Sequence, residues 1–364
     1  MTRDGALQGH PCPETTDPES GTAMNSAGTS DLPELITIGR SSIDLYSQDL
    51  GKALPEVRRL GAYLGGSPLN IAVGASRLGV RAALVSAVGE DQVGDFILAG
   101  LAREGVQTRF VTRKPGARTS AVLLAILPPD RFPITFYRDN AADVQIGIDD
   151  LNAVSIERAR ALVVNGTALA LDPLRSAIFL ACERARSAGV TVYLDLDFRA
   201  NQWHDVRAFG VNVRALLSSV DVVIGTEEEI NAALLTDPAD ITITHGQVTA
   251  PAIRGDLERN TQALLARAPV VVVKEGARGC TVHRRGQTPL SVPGFPVEVV
   301  SVLGAGDAFA AGLVTGQLRG LSWAESARLG NACGAIVVTR IGCADFTPTQ
   351  AEVDAFMSAQ AGQA

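Results

Sequence analysis

The 364-residue sequence is poor in the residue types that mark several common classes of protein. Its five cysteines are scattered and form no C-x-x-C pair, which argues against a disulfide scaffold and against a zinc site. Acidic residues outnumber basic ones by 39 to 32, so no basic surface is available to bind a nucleic-acid backbone. No apolar run approaches the roughly 18 residues that a transmembrane helix needs. We therefore expect a cytoplasmic protein without a nucleic-acid or membrane partner.

Aromatic residues are also scarce, at 5%, whereas glycine is abundant, with 36 residues. Together with a hydrophobic content of 46%, this composition is typical of a close-packed α/β protein with many tight turns. Residues 1–33 differ from the rest because they are rich in Gly, Pro, Ser, Thr and acidic residues and show no apolar periodicity. We expect a disordered N-terminal tail there.

From residue 35 onward, short apolar runs alternate with segments of helical periodicity. The runs that predict buried strands are 35–38, 83–88, 161–164, 190–194, 220–224 and 270–273. The predicted helices are 69–78, 93–103, 173–187, 256–266, 305–319, 323–339 and 349–359. This alternation implies right-handed crossovers and a mostly parallel central sheet.

Two further segments, 121–127 and 134–137, flank a proline-rich turn and predict an antiparallel pair. With part of the preceding chain they predict a small β-sheet lid over the main sheet, built from about 40–66 and 118–142. An exposed sheet edge pairs readily with a second copy, so the lid also suggests a homodimer. Residues 349–364 are expected to form a C-terminal helix and tail.

The segment Gly304-Ala305-Gly306-Asp307 precedes an apolar helical stretch. Its glycines allow a tight turn whose amide N–H groups face an anion at a helix N-terminus. Asp307 is then either a first-turn acid of the helix or a general base that takes a proton from an attacking hydroxyl. Phe309 stands where a dinucleotide fingerprint needs a third glycine, and the sequence has no G-x-x-x-x-G-K-[ST], so Rossmann and P-loop enzymes are both excluded.

A second glycine-rich segment begins with Gly65 and Gly66 and continues to Asn70 at the start of a predicted helix. The glycine pair permits a close approach of the backbone to a ligand. The Asn70 amide either caps the helix or both donates to and accepts from sugar hydroxyls.

Segments 65–79 and 301–312 resemble the two signature regions of the ribokinase-like (PfkB) carbohydrate kinases and occur in the same order. The resemblance implies a three-layer α/β/α fold over residues 34–348, with a mostly parallel central sheet and a small lid. It also implies that Asp307 is the catalytic base, while the segment from Gly304 through Ala305 to Gly306 stabilises the phosphoryl group that is transferred from ATP.

Segments 39–46, 136–143 and 302–307 resemble the members of this family that phosphorylate a sugar acid in inositol catabolism. The likeness implies that Asn140 lies in the substrate-binding part of the chain. It also implies that Asp44 binds sugar hydroxyls, although an acid at a strand end is also common in turns.

Two arginines, Arg40 and Arg138, lie on segments that the resemblance places at the substrate pocket. A guanidinium matches a carboxylate bidentately, which a neutral pentose does not require. The alternative for each is a solvated surface side chain.

The resemblance also implies sites for the nucleotide and its metal. The expected ATP-binding residues are Lys274, Gly276, Gly279, Asn331 and Asp195. Glu229, or Glu228 in the other register, would bind Mg²⁺ through water, and the alternative is an acidic first helical turn. The alternative for Asn331 is a partly exposed helix residue.

Three departures from the family pattern accompany these expectations. Thr226 stands where the metal motif has asparagine, and Asp197 replaces the asparagine of a D-x-N-x-R segment that begins at Asp195. Ser301 and Val302 replace the usual Asp-Thr, so the resemblance does not decide whether the chain has the family's K⁺ site.

The expected function is therefore ATP-dependent phosphorylation of the primary hydroxyl of a sugar acid. Two other possibilities stay open. One is a kinase for 2-keto-3-deoxygluconate, inositol, fructose or ribose. The other is a sugar-binding regulator without activity, which an intact Gly-Ala-Gly-Asp segment disfavours because a sensor needs no base.

Overall fold

A computed structural model describes residues 32–127, 131–242 and 251–361. The predicted tail lies outside the described residues except for Leu32 and Pro33, as do residues 128–130 of the proline-rich turn and the last three residues of the chain. Within the described ranges, no helix is long and apolar enough to cross a membrane.

Fifteen β-strands and nine α-helices lie in these ranges. The strands are β1 (Leu35–Ile38), β2 (Ser42–Ser47), β3 (Leu60–Gly65), β4 (Ala82–Gly89), β5 (Val111–Lys114), β6 (Ser120–Leu124), β7 (Ile134–Tyr137), β8 (Ala161–Asn165), β9 (Thr191–Asp195), β10 (Val222–Thr226), β11 (Ile241–Thr242), β12 (Ala252–Ile253), β13 (Val270–Lys274), β14 (Gly279–Arg284) and β15 (Leu290–Pro293). The helices are α1 (Ser67–Arg77), α2 (Gln92–Arg103), α3 (Leu174–Ser187), α4 (Val206–Leu216), α5 (Glu227–Leu234), α6 (Leu257–Leu265), α7 (Ala305–Leu318), α8 (Trp323–Val337) and α9 (Gln350–Ala361).

A nine-stranded sheet runs in the order β15-β14-β13-β10-β9-β8-β1-β4-β5. From β13 to β5 all neighbours are parallel, whereas β14 and β15 pair antiparallel at one edge. The prediction of a mostly parallel sheet is confirmed. Parallel strands bring their carboxyl ends to a single edge of the sheet, where α/β proteins bind ligands.

Alternate residues of the central strands are buried on opposite faces of this sheet. Leu35 packs in a cluster that includes residues of α1 and α7, whereas its neighbour Ile36 packs in a cluster that includes residues of α3 to α6. Burial on both faces explains why these strands are continuous apolar runs. The result is the predicted three-layer α/β/α arrangement.

A separate four-stranded sheet has the order β3-β2-β6-β7. Strand β2 pairs antiparallel with β3 and parallel with β6, and β7 pairs antiparallel with β6. This small sheet confirms the prediction of a second, smaller sheet, although the predicted strand 121–127 is shifted and shortened to β6.

The sequence analysis did not predict β5, β14, β15, α4 or α5. Strand β14 illustrates the reason: Cys280 and Val282 are buried while Thr281 is partly exposed, so the strand is not a continuous apolar run. A strand whose apolar run is interrupted in this way carries a weaker sequence signal than a continuous run.

Helices α7 and α8 approach each other closely because both carry glycine at their contact. A methyl group on Gly312 would lie 2.8 Å from the Cα atom of Gly330 and 3.0 Å from the Cys333 sulfur. This contact fixes α7 and therefore the position of Asp307 in its first turn.

Gly312→Ala is expected to lower the free energy of unfolding by about 1–3 kcal/mol because the added methyl overpacks this contact. Gly334→Ala in α8 is the matched control, since the nearest atom to its added methyl is 3.4 Å away. The better helix propensity of alanine should leave the control unchanged or stabilise it by up to about 1 kcal/mol. Chemical denaturation measures both, and equal stabilities for the two variants would contradict the close packing.

Candidate active site

Polar side chains end four neighbouring strands of the large sheet. Asn165 ends β8 and is in register with Asp195, which ends β9. Thr226 ends β10 and is in register with Lys274, which ends β13. Because these strands are parallel, all four side chains lie at the same edge of the sheet.

Asp307 lies at this edge in the first turn of α7, after Gly304, which adopts a left-handed φ of 76°. Its Oδ1 accepts a hydrogen bond from Ser67 Oγ at 2.5 Å, and its Oδ2 accepts one from Asn70 Nδ2 at 2.7 Å. Ser67 Oγ in turn accepts a hydrogen bond from Asn165 Nδ2 at 2.7 Å. The carboxylate therefore binds side chains of α1 and does not cap its own helix.

Burial raises the pKa of Asp307 to about 6, and the nearby charge of Asp197 adds to this shift. The hydrogen bonds from Ser67 and Asn70 act in the opposite direction because they stabilise the ionised form. At neutral pH the group is thus a carboxylate whose proton affinity suits a general base.

The Lys274 ammonium lies between two buried carboxylates, with Nζ 3.3 Å from Asp195 Oδ1 and 3.4 Å from Glu229 Oε2. Burial alone would lower the pKa of Lys274, but these two acids raise it. A methyl group on Gly306 would lie 3.3 Å from Nζ, so the ammonium also adjoins the first turn of α7. A helix N-terminus beside a fixed ammonium attracts an anion such as a phosphate.

Of the two candidate metal-binding glutamates, the structure brings Glu229 to this cluster. Glu229 is buried and Glu228 is exposed. Thr226 begins α5 as its N-cap, and Glu229 Oε2 accepts a hydrogen bond from the Thr226 backbone N–H at 2.8 Å. Burial opposes ionisation of Glu229, but Lys274 and Arg199 keep its pKa lowered.

The donor set at this edge fits a hydrated magnesium ion. Four acids lie close enough here to interact electrostatically. Two cations, Lys274 and Arg199, lie near them. The four acids are Asp195, Asp197, Glu229 and Asp307. Among the described residues, no group of three or more His, Cys, Asp or Glu could by itself hold a metal ion. Mg²⁺ commonly keeps several waters and binds through one or two carboxylates and substrate phosphates.

Asp44 lies in the small sheet, where Ser42 Oγ donates to it at 2.7 Å and the Tyr46 hydroxyl donates at 3.1 Å. Burial raises the pKa of Asp44, and the Arg40 charge partly offsets this effect. A methyl group on Gly65, in the paired strand β3, would lie 2.0 Å from Asp44 Oδ1. Gly65 therefore makes room for the Asp44 carboxylate.

Gly66 makes room for another part of the same region. It adopts a φ of 102°, and a side chain there would meet the Arg40 carbonyl oxygen at 2.4 Å. Protein atoms thus occupy the space of a side chain at both glycines, and the approach of their backbone to a ligand stays a prediction.

The two predicted arginines are not solvated surface residues. The Arg40 guanidinium lies over the Phe136 ring, 5.2 Å from its centroid, and its buried Nη1 has no hydrogen-bond partner. Arg138 pairs with the fully buried Asp143 and donates from Nη1 to Gln202 Oε1 at 2.9 Å, but its buried Nε has no partner.

The Asn140 side chain does not hydrogen-bond to Arg40 or Arg138. Its exposed amide donates to the Gly116 carbonyl oxygen at 2.9 Å and accepts from Gln145 at 2.8 Å. Its φ of 51° is a left-handed value that asparagine tolerates well, so the structure gives it a role in a turn.

On the nucleotide side, Asn331 is buried and donates to the carbonyl oxygens of Val292 and Pro293 at 3.0 and 3.1 Å. Gly276 lies in the turn between β13 and β14, whereas Gly279 begins β14, where a side chain would meet the Val292 carbonyl oxygen at 2.2 Å. Asn331 is therefore not the partly exposed residue of the alternative interpretation. Nucleotide binding by these three residues stays a prediction.

Sequence reasoning missed several residues of the site, including Ser67, Asn165 and Gln202. Asn165 could have been found, because a polar residue at the carboxyl end of a buried parallel strand faces the ligand-binding edge. Gln202 carried no comparable signal. Its contact with Arg138 joins segments 64 positions apart.

Where the sequence departs from the family pattern, the side chains of Ser301 and Val302 offer few oxygen ligands to a monovalent cation. The hydroxyl of the buried Ser301 already accepts the Leu303 backbone N–H at 3.3 Å, and the Val302 side chain contains no oxygen. These two side chains therefore give no support to a role for a monovalent cation in the reaction.

Comparisons with known proteins agree with this geometry. Residues 32–350 match the model of the pfkB family of carbohydrate kinases, so the chain belongs to that family. A protein named 5-dehydro-2-deoxygluconokinase 2 from Bacillus cereus is 33% identical over 325 residues, which cover 89% of this chain and 94% of that protein. The chain is accordingly a carbohydrate kinase, a phosphotransferase with an alcohol group as acceptor.

Solved structures show the same ribokinase-like fold. A fructokinase from Xylella fastidiosa with bound ATP is 26% identical with a TM-score of 0.76, over 91% of this chain and 100% of that chain. A fructokinase double mutant from Vibrio cholerae, bound to fructose, ADP and potassium, is 27% identical with a TM-score of 0.75, over 90% and 99% of the two chains.

Lys274→Met is expected to lower the free energy of unfolding by about 3–5 kcal/mol, because it leaves two buried carboxylates without their cation. Unpaired buried carboxylates take up protons more readily than the same groups in the unfolded chain. The loss should therefore shrink as the pH falls from about 8 to about 5. Denaturant titrations at several pH values measure it.

The matched control is Lys114→Met, since Lys114 pairs with the single carboxylate of Asp150 at 2.7 Å in a more exposed position. Its loss should cost about 1 kcal/mol or less. If both variants lose the same stability at every pH, Lys274 does not balance the buried acids.

Proposed function

We propose that this chain transfers the γ-phosphoryl group of ATP to the primary hydroxyl of 5-dehydro-2-deoxy-D-gluconate and forms the 6-phosphate in inositol catabolism. The observation that carries the choice of a sugar acid is the pair of buried guanidinium N–H groups without partners, on Arg40 and Arg138. The name of the Bacillus cereus relative supports the same substrate.

In this proposal Asp307 is the general base. Its two oxygens are held by Ser67 and Asn70, so a free lone pair has a fixed direction for the proton of the substrate hydroxyl. The buried Asn70 Oδ1 has no hydrogen-bond partner and is available to a sugar hydroxyl. The hydroxyl oxygen then attacks the γ-phosphorus in line with the departing ADP.

The first turn of α7 and Lys274 would stabilise the negative charge of the transferring group. The amides from Gly304 to Gly306 precede or begin the helix and have no intrahelical partners, and the Ala305 N–H makes only a long contact of 3.4 Å with the Val302 carbonyl oxygen before the helix. When bound, Mg²⁺ neutralises charge on the nucleotide phosphates, and Glu229 would hold it through water. Asp195 lies on the other side of the Lys274 ammonium and keeps that side chain in place.

The carboxylate of the substrate would lie at the two arginines. A buried donor without an acceptor costs about 1–3 kcal/mol, and a carboxylate supplies acceptors for both guanidinium groups. Burial lowers the pKa of Arg138, and the positive charge of Arg40 lowers it further. An anion near both arginines would relieve this repulsion, which a neutral sugar cannot do.

The same arrangement suits 2-keto-3-deoxygluconate, which also carries a carboxylate, and this sugar acid is the second candidate. Inositol, fructose and ribose lack the charge. A homodimer through the small sheet also stays a proposal, supported by the exposed side chains of Leu60 and Tyr137 on its two edge strands.

Asp307→Asn is expected to lower kcat by about 10²–10⁴ because it removes the base and keeps the shape of the side chain. In the unchanged protein, kcat/KM should fall below about pH 6, where a base whose pKa is raised to about 6 becomes protonated. Steady-state kinetics across the pH range measure both effects, and calorimetry should show that ADP and sugar still bind to the variant. A variant that keeps more than about a tenth of kcat would contradict the role of Asp307.

Arg40→Gln is expected to raise KM for the sugar acid by about tenfold to a hundredfold, because it removes a charged donor to the carboxylate. The matched control is Arg328→Gln, since Arg328 lies over the Phe295 ring at 5.0 Å in another part of the fold. The control should leave KM for the sugar acid unchanged. An Arg40→Gln variant with normal KM for the acid would argue against carboxylate binding at this position.

A further inference from the structure

We propose that Gln202 is a specificity-determining residue that donates a hydrogen bond to the substrate carboxylate beside Arg138. This inference rests on the proposed function, because it assumes an acidic sugar in the same site. Gln202 ends the short 3₁₀ turn Ala200–Gln202, which follows the polar segment after β9.

The orientation of the Gln202 amide is determined by its neighbour. Arginine has only donors, so the amide oxygen must face the Arg138 Nη1 atom that it contacts at 2.9 Å. The amide nitrogen then points away from Arg138. Its N–H groups are buried and have no hydrogen-bond partner.

The free donors of this pair complement a carboxylate. Arg138 Nε and Gln202 Nε2 are both buried and without partners, and the two side chains are joined by the hydrogen bond between them. Unsatisfied buried donors destabilise the protein unless a ligand supplies acceptors. A carboxylate has acceptors and no donor, so it can accept from the free Gln202 N–H groups without leaving a donor of its own unpaired.

The buried Asp143 carboxylate does not accept a hydrogen bond from the Gln202 amide nitrogen. It pairs with Arg138 and also accepts a hydrogen bond from Ser120. The nearby Asp197 carboxylate is likewise bound, by Arg199 at 2.7 Å and by Thr167 at 2.9 Å. Both acids thus bind other donors, and the Gln202 N–H groups are left for an acceptor that the substrate would supply.

The pair also joins the two sheets of the fold. Arg138 directly follows β7 of the small sheet, whereas Gln202 follows β9 of the large sheet. The charge of Asp197 influences both Arg138 and Asp307, so the pair lies within electrostatic reach of the proposed base. A substrate carboxylate held by both residues would draw the small sheet against the large one when the correct ligand is bound.

Gln202→Glu tests the contact, because glutamate keeps an oxygen for Arg138 and replaces the free N–H groups by an anionic oxygen. We expect KM for 5-dehydro-2-deoxygluconate to rise by about 30-fold or more, and by about tenfold in Gln202→Met, which removes the donor without adding charge. The KM for ATP should stay unchanged in both variants. The Ki of the uncharged analogue with a 1-hydroxyl in place of the carboxylate should change less than twofold.

Gln317→Met is the matched control, since Gln317 donates hydrogen bonds to Leu321 and Ser326 at the far end of α7 and should leave all kinetic constants unchanged. If KM for the acid stays within twofold of the unchanged protein in both Gln202 variants, the inference is wrong. An equal rise for the acid and for the uncharged analogue would also overturn it, because that result indicates a structural role. If Gln202→Glu does not fold, Gln202→Met gives the same comparison.

The unchanged protein separates this inference from the proposed function. If it phosphorylates the sugar acid and the Gln202 variants behave like it, the function stands and the inference fails. If it phosphorylates neutral sugars alone, both are overturned.

Discussion

The arrangement of this site depends on how a few buried charges balance one another at the carboxyl edge of the large sheet. Four acids meet there with Lys274 and Arg199. Burial penalises every one of these charges, so each is tolerated only next to a partner of opposite sign or a strong hydrogen-bond donor. The parallel strands supply this arrangement, because Asp195 ends β9 and Lys274 ends β13 on either side of β10, where their side chains meet at 3.3 Å.

The same balance of charges shifts the pKa values of the acids in different directions. Glu229, held by Lys274 and by the Thr226 amide, has a lowered pKa, whereas burial raises that of Asp307. An acid that stays ionised suits a metal with its waters, and an acid with a raised pKa suits proton transfer. The same fold edge thus offers two kinds of carboxylate within one cluster.

The small sheet is connected to this cluster through a short path of contacts. The Tyr46 hydroxyl donates to Asp44 and lies 2.8 Å from the Cys343 sulfur. Cys343 in turn packs against Gly304, whose added side chain would meet the sulfur at 3.3 Å. These contacts form a continuous path from Asp44 to the glycine turn before Asp307, and this path joins the proposed sugar side of the site to the proposed phosphate side.

Much of this could be predicted from the sequence because the central strands are buried on both faces and the glycine segments are local. The apolar runs predicted six strands of the large sheet, and Gly304 to Asp307 predicted an anion-binding helix N-terminus. What could not be predicted depends on contacts between distant positions. Ser67 and Asp307 are 240 positions apart, and no local pattern indicates that one holds the other.

The same limit explains the residues whose surroundings differ from expectation. Gly65 was interpreted through its flexibility, but its place in the fold is set by the carboxylate that occupies the space of a side chain. Asn140 belongs to a segment that resembles the family, yet its own backbone conformation and two hydrogen bonds direct its amide elsewhere. Resemblance identified the segment, and only the three-dimensional contacts distinguish the residues within it.

The central claim is that this carbohydrate kinase acts on a sugar acid. It is tested most directly by measuring ADP release from Mg-ATP with the unchanged protein and a panel of acceptors: 5-dehydro-2-deoxygluconate, 2-keto-3-deoxygluconate, myo-inositol, fructose and ribose. We expect kcat/KM for the first to exceed that for each neutral acceptor by about two orders of magnitude, because a neutral ligand leaves buried donors unpaired. A neutral sugar with the highest kcat/KM would contradict it.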